Sequence, residues 1–278
     1  MIDKPAGPTA HDVVAHVRRT LKIRRAGHTG TLDPFASGLL VILLGRATRL
    51  SRFVVDLRKT YSGRIRLGET TDTGDPTGEV VESSDDWETV TDSDVESAMG
   101  RLTGSLTQTP PSFSAKKVGG QRAYRLARRG EQIELSPCQV QVYRFQLHNR
   151  SGPLVEFSCE VGSGTYVRAL ARDLGAALGC GAHLQALRRQ TVGPFDVDQA
   201  ESLEELGATT ALRPALEAVA HLPVIVIERE SQVKVRHGQS IPSTADADGP
   251  VALVAEDELL AVAESRDGVL KPKVVLEG

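Results

Sequence analysis

Cysteine is scarce in this chain. Only Cys138, Cys159 and Cys180 occur, about 20 residues apart, with no CxxC pair and no Cys/His cluster. That spacing suggests neither a disulfide framework nor a zinc site, and the three read as reduced, mostly buried thiols. Long apolar runs are lacking as well. The longest, Leu39 to Leu44, falls far short of the roughly 20 residues that span a bilayer, and no charged-then-apolar signal segment opens the chain, so a cytoplasmic protein is expected. Internal repeats and low-complexity tracts are also missing. What remains is an ordinary globular composition: 278 residues, 40% apolar and 25% charged, suffice for a full-sized core and a small second domain.

Charge of one sign is absent over long stretches. Glu69 to Met99 carries eleven acids and no base, whereas Arg101 to Gly130 carries seven bases (Arg101, Lys116, Lys117, Arg122, Arg125, Arg128 and Arg129) and no acid. Met1 to Arg66 holds thirteen Lys and Arg against four acids. The net charge of -3 therefore hides a segregation that can build one positive and one negative face. A positive face is what phosphate contact requires, although solvated surface helices carry the same pattern.

Thr9 followed by Asp12 resembles a capping box, and Val13, Val17 and Leu21 recur at helical spacing, so a helix is expected from about Ala10 to Ile23. Arg25 to Gly38, with Gly27, Gly30, Pro34 and no periodicity, reads as a loop that delivers Asp33 to the core edge. Leu39 to Leu44 reads as a buried strand after it. Tyr61, Gly63, Ile65 and Leu67 alternate with Ser62, Arg64 and Arg66, a half-buried strand with Tyr61 inward. Thr107 to Gly120 reads as a long mobile loop leading into a basic helix from about Gln121 to Arg129. Val140 to Leu147 and Val155 to Val161 are strand-like. Val167, Leu170, Leu174 and Ala177 then give a helix that stops at Gly179, which places Tyr166 and Arg168 near a sheet end. From about Leu222 to Gly278, short apolar runs punctuated by Gly238, Pro242, Gly249 and Gly268 predict a small, mainly β domain.

The densest chemistry lies in Gly27-His28-Thr29-Gly30-Thr31-Leu32-Asp33-Pro34, where a histidine, two threonine hydroxyls and a carboxylate sit among glycines that let backbone approach a ligand. Pro34 biases Asp33 towards an extended conformation. An Asp-Pro pair is also a common turn or helix start, and a lone loop histidine is usually just solvated.

The order Lys4-Pro5-Ala6-Gly7-Pro8-Thr9, then Gly27 to Pro34 with Ala36 and Gly38, resembles the bacterial type of the TruB family of tRNA pseudouridine synthases. Further matches are Lys59-Thr60-Tyr61, Thr71-Asp72-Thr73-Gly74-Asp75, Ser112-Phe113-Ser114-Ala115-Lys116-Lys117 and Ser163-Gly164-Thr165-Tyr166-Val167-Arg168. They cover about the first 190 residues in family order and end with Leu187-Arg188-Arg189. Two departures stand out. The chain begins at Met1-Ile2-Asp3 where family members carry several apolar residues first, and Ala10 stands where a serine is usual.

The resemblance implies that a uracil is cut from ribose at N1, turned and rejoined through C5, with no cofactor and no metal, at uridine 55 of the tRNA T arm. Asp33 takes the family's catalytic position, where a carboxylate can attack base or sugar, or stabilise and deprotonate a detached base. Arg168 matches the arginine paired with it, and an opposite charge within about 4 to 6 Å lowers a carboxylate pKa; a surface helix arginine is the plain alternative. Tyr61 matches the tyrosine that stacks on the flipped base and assists proton removal at C5, against the plain reading of a core tyrosine. Tyr166 and Leu187 match pocket-lining residues, although Leu187 suits core packing equally. His28 resembles the histidine that props the rearranged T loop. Asp75 resembles a residue near the RNA or active-site network, with an Asx turn as the even alternative.

The basic stretch from Thr107 to Gly130 matches an insertion that closes over the T arm, with Lys117, Arg122 and Arg125 among its phosphate contacts. The insertion favours an enzyme that works without guide RNA or protein partner, and the family resemblance implies a monomer. The fold implied is a mixed α/β (α+β) pseudouridine synthase domain over 1–212, with a largely antiparallel central sheet and a cleft across it, followed by a small β-rich PUA-like domain over 222–278. Two other readings of the same residues stay open: an RNA-folding factor that needs no catalysis, and a guide-RNA-dependent enzyme.

Overall fold

A computed structural model describes residues 1–113, 116–118, 121–122, 129, 135–243 and 248–276, with the backbone alone for 117, 118 and 122. Thr9 opens the first helix, Ala10–Thr20, with the expected capping box: its hydroxyl accepts from the Asp12 N–H at 3.1 Å while Asp12 accepts from the Thr9 N–H at 2.9 Å. The helix stops before Ile23 because Lys22 takes a positive φ of 53°, which breaks the helical path. Its buried face, Ala10, Val13 and Val17, packs on Ile2 and Leu40.

The central sheet has nine strands. Its path runs Glu201–Ser202, Ile2–Lys4, Ser37–Leu40, Ala182–Val192, Lys59–Leu67, Leu154–Val161, Cys138–Ser151 and Gly104–Gln108, with Phe195–Asp196 paired to Ala182–Val192. All pairings are antiparallel except Ile2–Lys4 with Glu201–Ser202 and Ala182–Val192 with Ser37–Leu40. Period-two burial along Lys59–Leu67 turns Lys59, Tyr61, Ile65 and Leu67 inward, as the alternation predicts. Helices Asp92–Arg101 and Val167–Leu178 supply Val95, Met99, Leu170 and Leu174 to the core over this face. The second helix ends at Gly179, whose φ of 79° closes the left-handed cap expected there.

On the other side, Leu39, Leu43, Leu50 and Val54 share a core with Ala252, Leu259, Val262 and Val274 of the C-terminal part. That part is a five-stranded sheet in the order Val224–Val226, Gly249–Ala255, Glu258–Arg266, Val269–Val275 and Ile241–Pro242, with helix Arg229–Arg236 beside it. Arg46 and Arg49 reinforce the junction by donating to the Leu276 and Val275 carbonyls at 3.0 and 2.8 Å.

Several expectations change. The run Leu39 to Leu44 is two strands, Ser37–Leu40 in the central sheet and Ile42–Leu44 paired with Ala26–His28, because the chain leaves one sheet for another at Val41. The stretch before it is therefore not wholly loop, and His28 ends a strand. Gln121–Arg122 pairs as a short strand with Lys117–Val118, where a helix was expected, and 123–128 lie outside the described residues. Among the described residues no helix is long and apolar enough to cross a membrane.

Gly38 shows how tightly the sheet is closed. It has φ 102°, and a Cβ there would stand 2.3 Å from the Arg189 carbonyl oxygen of the neighbouring parallel strand. Gly38→Ala is expected to destabilise the fold by more than about 2 kcal/mol, through main-chain strain and a displaced strand. Chemical denaturation of wild type and variant checks this; an unchanged midpoint would contradict it.

Candidate active site

Pro34 and Gly7 set the loop that carries Asp33. The Gly7 N–H donates to the Pro34 carbonyl at 2.7 Å, and the Asp33 carbonyl accepts from the Ala36 N–H at 3.1 Å, so the Asp-Pro pair does begin a turn. That turn aims the Asp33 carboxylate into a cleft of about 320 Å3. Arg168, two residues beyond the start of the facing helix at Tyr166, donates from Nε to Asp33 Oδ2 at 2.9 Å. It is no surface arginine, being 5% exposed. Its Nη1 meets Asp75 Oδ2 at 3.2 Å and the Thr73 carbonyl at 2.8 Å, and its Nη2 reaches the Phe113 carbonyl at 2.7 Å.

Asp75 faces Arg168 and closes a turn of its own. One oxygen faces Arg168; the other accepts from the Thr73 hydroxyl at 2.8 Å and the Thr77 N–H at 3.0 Å, an Asx-type turn that buries the carboxylate. Tyr61, Tyr166 and Leu187 line the same cleft. Gln108, 1% exposed, holds Tyr166 from both ends, accepting from its N–H at 2.8 Å and donating to its carbonyl at 3.2 Å. His28 stands against His11 with ring centroids 5.4 Å apart, and its Nδ1 accepts from the Gly30 N–H at 3.4 Å. Arg125 and the side chains of Lys117 and Arg122 lie outside the described residues.

The electrostatics depart from expectation at Asp33. Burial raises its carboxyl pKa above the ordinary 3.8, Arg168 pulls it down, and the nearby Asp75 charge adds to the rise. The net direction is upward, so the guanidinium moderates the shift without reversing it. The side chain is 35% exposed to the open cleft, which bounds the size of the effect. Burial also raises the Tyr61 hydroxyl, against the pull of the Arg189 charge.

Three buried cations escaped the sequence reading. Lys4 is fully enclosed and donates to the carbonyls of Pro5, Pro8 and Pro34, and burial lowers it to about 8. Lys59 donates to the Val55 and Leu57 carbonyls and is likewise lowered to about 8 by burial. Arg189 lines the cleft beneath Leu187. Parity could have found two of them, since Lys59 is two residues before Tyr61 and Arg189 two after Leu187 on their strands. A second cavity of about 260 Å3, between the first helix and residues 199–218, lies away from all these groups. Among the described residues no cluster of His, Cys, Asp and Glu is placed to hold a metal ion.

Comparison with known proteins gives the same direction. Residues 18–167 match the model of the TruB family pseudouridylate synthase N-terminal domain, 168–221 the tRNA pseudouridylate synthase B C-terminal domain, and 223–276 the pseudouridine synthase II TruB C-terminal model. The chain belongs to the TruB family of pseudouridylate synthases. It is 46% identical to tRNA pseudouridine synthase B of Thermobifida fusca (strain YX), over all of this chain and 98% of that protein. The protein of the same name from Arthrobacter sp. (strain FB24) is 43% identical over 99% of this chain and 95% of its own. Among solved structures, a Cbf5-Nop10-Gar1 complex superposes with a TM-score of 0.76 at 27% identity, covering 99% of this chain and 83% of that one. An H/ACA RNP bound to a substrate RNA containing 2'-deoxyuridine gives 0.75 at 25% identity, over 100% and 84%. TruB membership makes the chain an isomerase.

The direction of the Asp33 shift has a consequence for stability. The folded state holds this proton more tightly than the unfolded chain, so ionised Asp33 opposes folding above its raised pKa, and the penalty vanishes below 3.8. Asp33→Asn is therefore expected to melt higher than wild type at pH 7, by a margin that shrinks as the pH falls towards 4. Thermal melts across that range check it; a variant less stable at pH 7 would contradict it.

Proposed function

We propose that this chain converts uridine 55 in the T loop of tRNA to pseudouridine, taking the base out of its stack and acting on it through Asp33, without guide RNA. The observation that carries the reading is the Asp33–Arg168 pair at the wall of a cleft that also holds Tyr61, Tyr166 and Leu187. A base in a duplex or stacked loop is out of reach of a recessed carboxylate, so the nucleotide must come out to meet it. Tyr61 offers the aromatic face that receives the base, Tyr166 and Leu187 close the pocket around it, and Arg168 favours the charged form of Asp33 and aims it.

The isomerisation breaks the C1'–N1 bond, with the electron pair leaving on the base, and forms C1'–C5. The proton lost from C5 is balanced by the one gained at N1, so neither oxidant nor cofactor is required. Asp33 serves as the carboxylate that stabilises the severed ribose or attacks the nucleotide, and Tyr61 assists the proton at C5. His28, at the mouth of the loop beside His11, props the T loop after flipping. Lys117, Arg122 and Arg125 meet backbone phosphates, and Asp75 serves the site through Arg168. Residues 1–212 form the catalytic domain and 222–278 a PUA-like domain. The names borne by the relatives, tRNA pseudouridine synthase B, support the substrate class.

Purified protein alone, incubated with a T-arm stem-loop transcript, is expected to form pseudouridine at the position of uridine 55, read by mass spectrometry; intact uridine would defeat the proposal. Asp33→Asn should abolish product with little change in tRNA affinity. Because burial raises Asp33, the acidic limb of the rate profile should fall at a pH above 3.8, with activity lost as the carboxylate takes up its proton. Reversing the charges of Lys117 and Arg125 should weaken binding and reduce the slope of log affinity against log salt. An unchanged slope would put the phosphate contacts elsewhere.

A further inference from the structure

Arg189 has no part in the chemistry above, yet it is 2% exposed and lines the cleft. Its side chain donates to three main-chain carbonyls, Nε to Leu39 at 2.7 Å, Nη2 to Gly30 at 3.1 Å and Nη1 to Thr31 at a long 3.5 Å, and it also hydrogen-bonds the Tyr61 side chain. Among the described residues it forms no ion pair with a carboxylate. A buried cation without a counter-ion is costly, and the cost spreads, since the Arg189 charge adds to the lowering of both Lys4 and Lys59. A strut that only filled space would be better built from Leu or Met.

What the guanidinium touches explains its presence. Gly30 and Thr31 lie three and two residues before Asp33, so two of the bonds end on the loop that aims the carboxylate. The charge of the same group also faces the Tyr61 hydroxyl, on the adjacent strand. The planar fork holds its three carbonyls in one fixed geometry, which an ammonium on a flexible stem does not reproduce. We propose that Arg189 is the positioning residue that locks the Asp33 loop and Tyr61 relative to each other, so that a base received by the tyrosine meets the carboxylate in one geometry. The idea rests on the function proposed above.

Arg189→Lys and Arg189→Ala, assayed under single turnover on the T-arm transcript, test it. A misplacement of about 1 Å at reacting groups lowers a rate by about 100-fold, and a loss of that order is expected in both variants while tRNA affinity stays within about two-fold. Guanidinium chloride should restore part of the Arg189→Ala rate where potassium chloride of equal ionic strength does not; a merely structural arginine would give no such chemical rescue. Should Arg189→Ala fail to fold, Arg189→Lys decides by the same split between rate and affinity. A folded variant within about two-fold of the wild-type rate, a loss carried by affinity, or no rescue of folded Arg189→Ala overturns the proposal. Inactive wild-type protein would instead defeat the proposed function itself.

Discussion

Arg168 donates from all three of its nitrogens, and each nitrogen reaches a different part of the chain: Nε Asp33 on the N-terminal loop, Nη1 Asp75 and Thr73 on the turn of the acidic segment, and Nη2 Phe113 at the entry to the basic one. Segments far apart in sequence therefore meet at one guanidinium. The arrangement suits an arginine, whose planar fork serves several acceptors together and whose charge survives burial. Helix Val167–Leu178 supplies the anchorage. Leu170, Leu174 and Ala171 are fixed in the core, and Gln108 clamps the backbone of Tyr166 at the helix start.

Around that centre the protein tolerates charges that a purely stable fold would not contain. Lys4, Lys59 and Arg189 are enclosed and compensated mostly by carbonyl oxygens, while Asp33 is held at a raised pKa in the cleft wall. Stability lost at such a site is offset elsewhere, by the aliphatic cores on both faces of the sheet. The same reasoning explains the tight backbone of the loop: Lys4 and Gly7 both bond the Pro34 carbonyl, and Arg189 bonds Gly30, so Asp33 is positioned from both sides.

Much of this is legible in the sequence, but by two different routes. Local physics foresaw the Thr9 capping box, the inward side of the Tyr61 strand and the Gly179 stop, because each depends on neighbours in sequence. The union of Asp33 with Arg168 does not. Those residues are distant along the chain, and their pairing followed from family resemblance. Lys4, Gln108 and Arg189 were missed as buried groups because backbone groups that hold them, the Pro34 carbonyl for Lys4, the Tyr166 peptide for Gln108 and the Leu39 and Gly30 carbonyls for Arg189, come from segments distant in sequence. The break at Val41 and helix Arg229–Arg236 were missed for a related reason: a continuous apolar run and a polar stretch leave the element type to tertiary packing.

The balance at Asp33 between burial and Arg168 is open to direct titration. Site-resolved 13C NMR of the Asp33 carboxyl in the RNA-free protein should give a pKa above 3.8, and Arg168→Met should move it higher still, because the opposing charge is gone. A carboxyl that titrates at or below 3.8, or one indifferent to the loss of Arg168, would contradict the account.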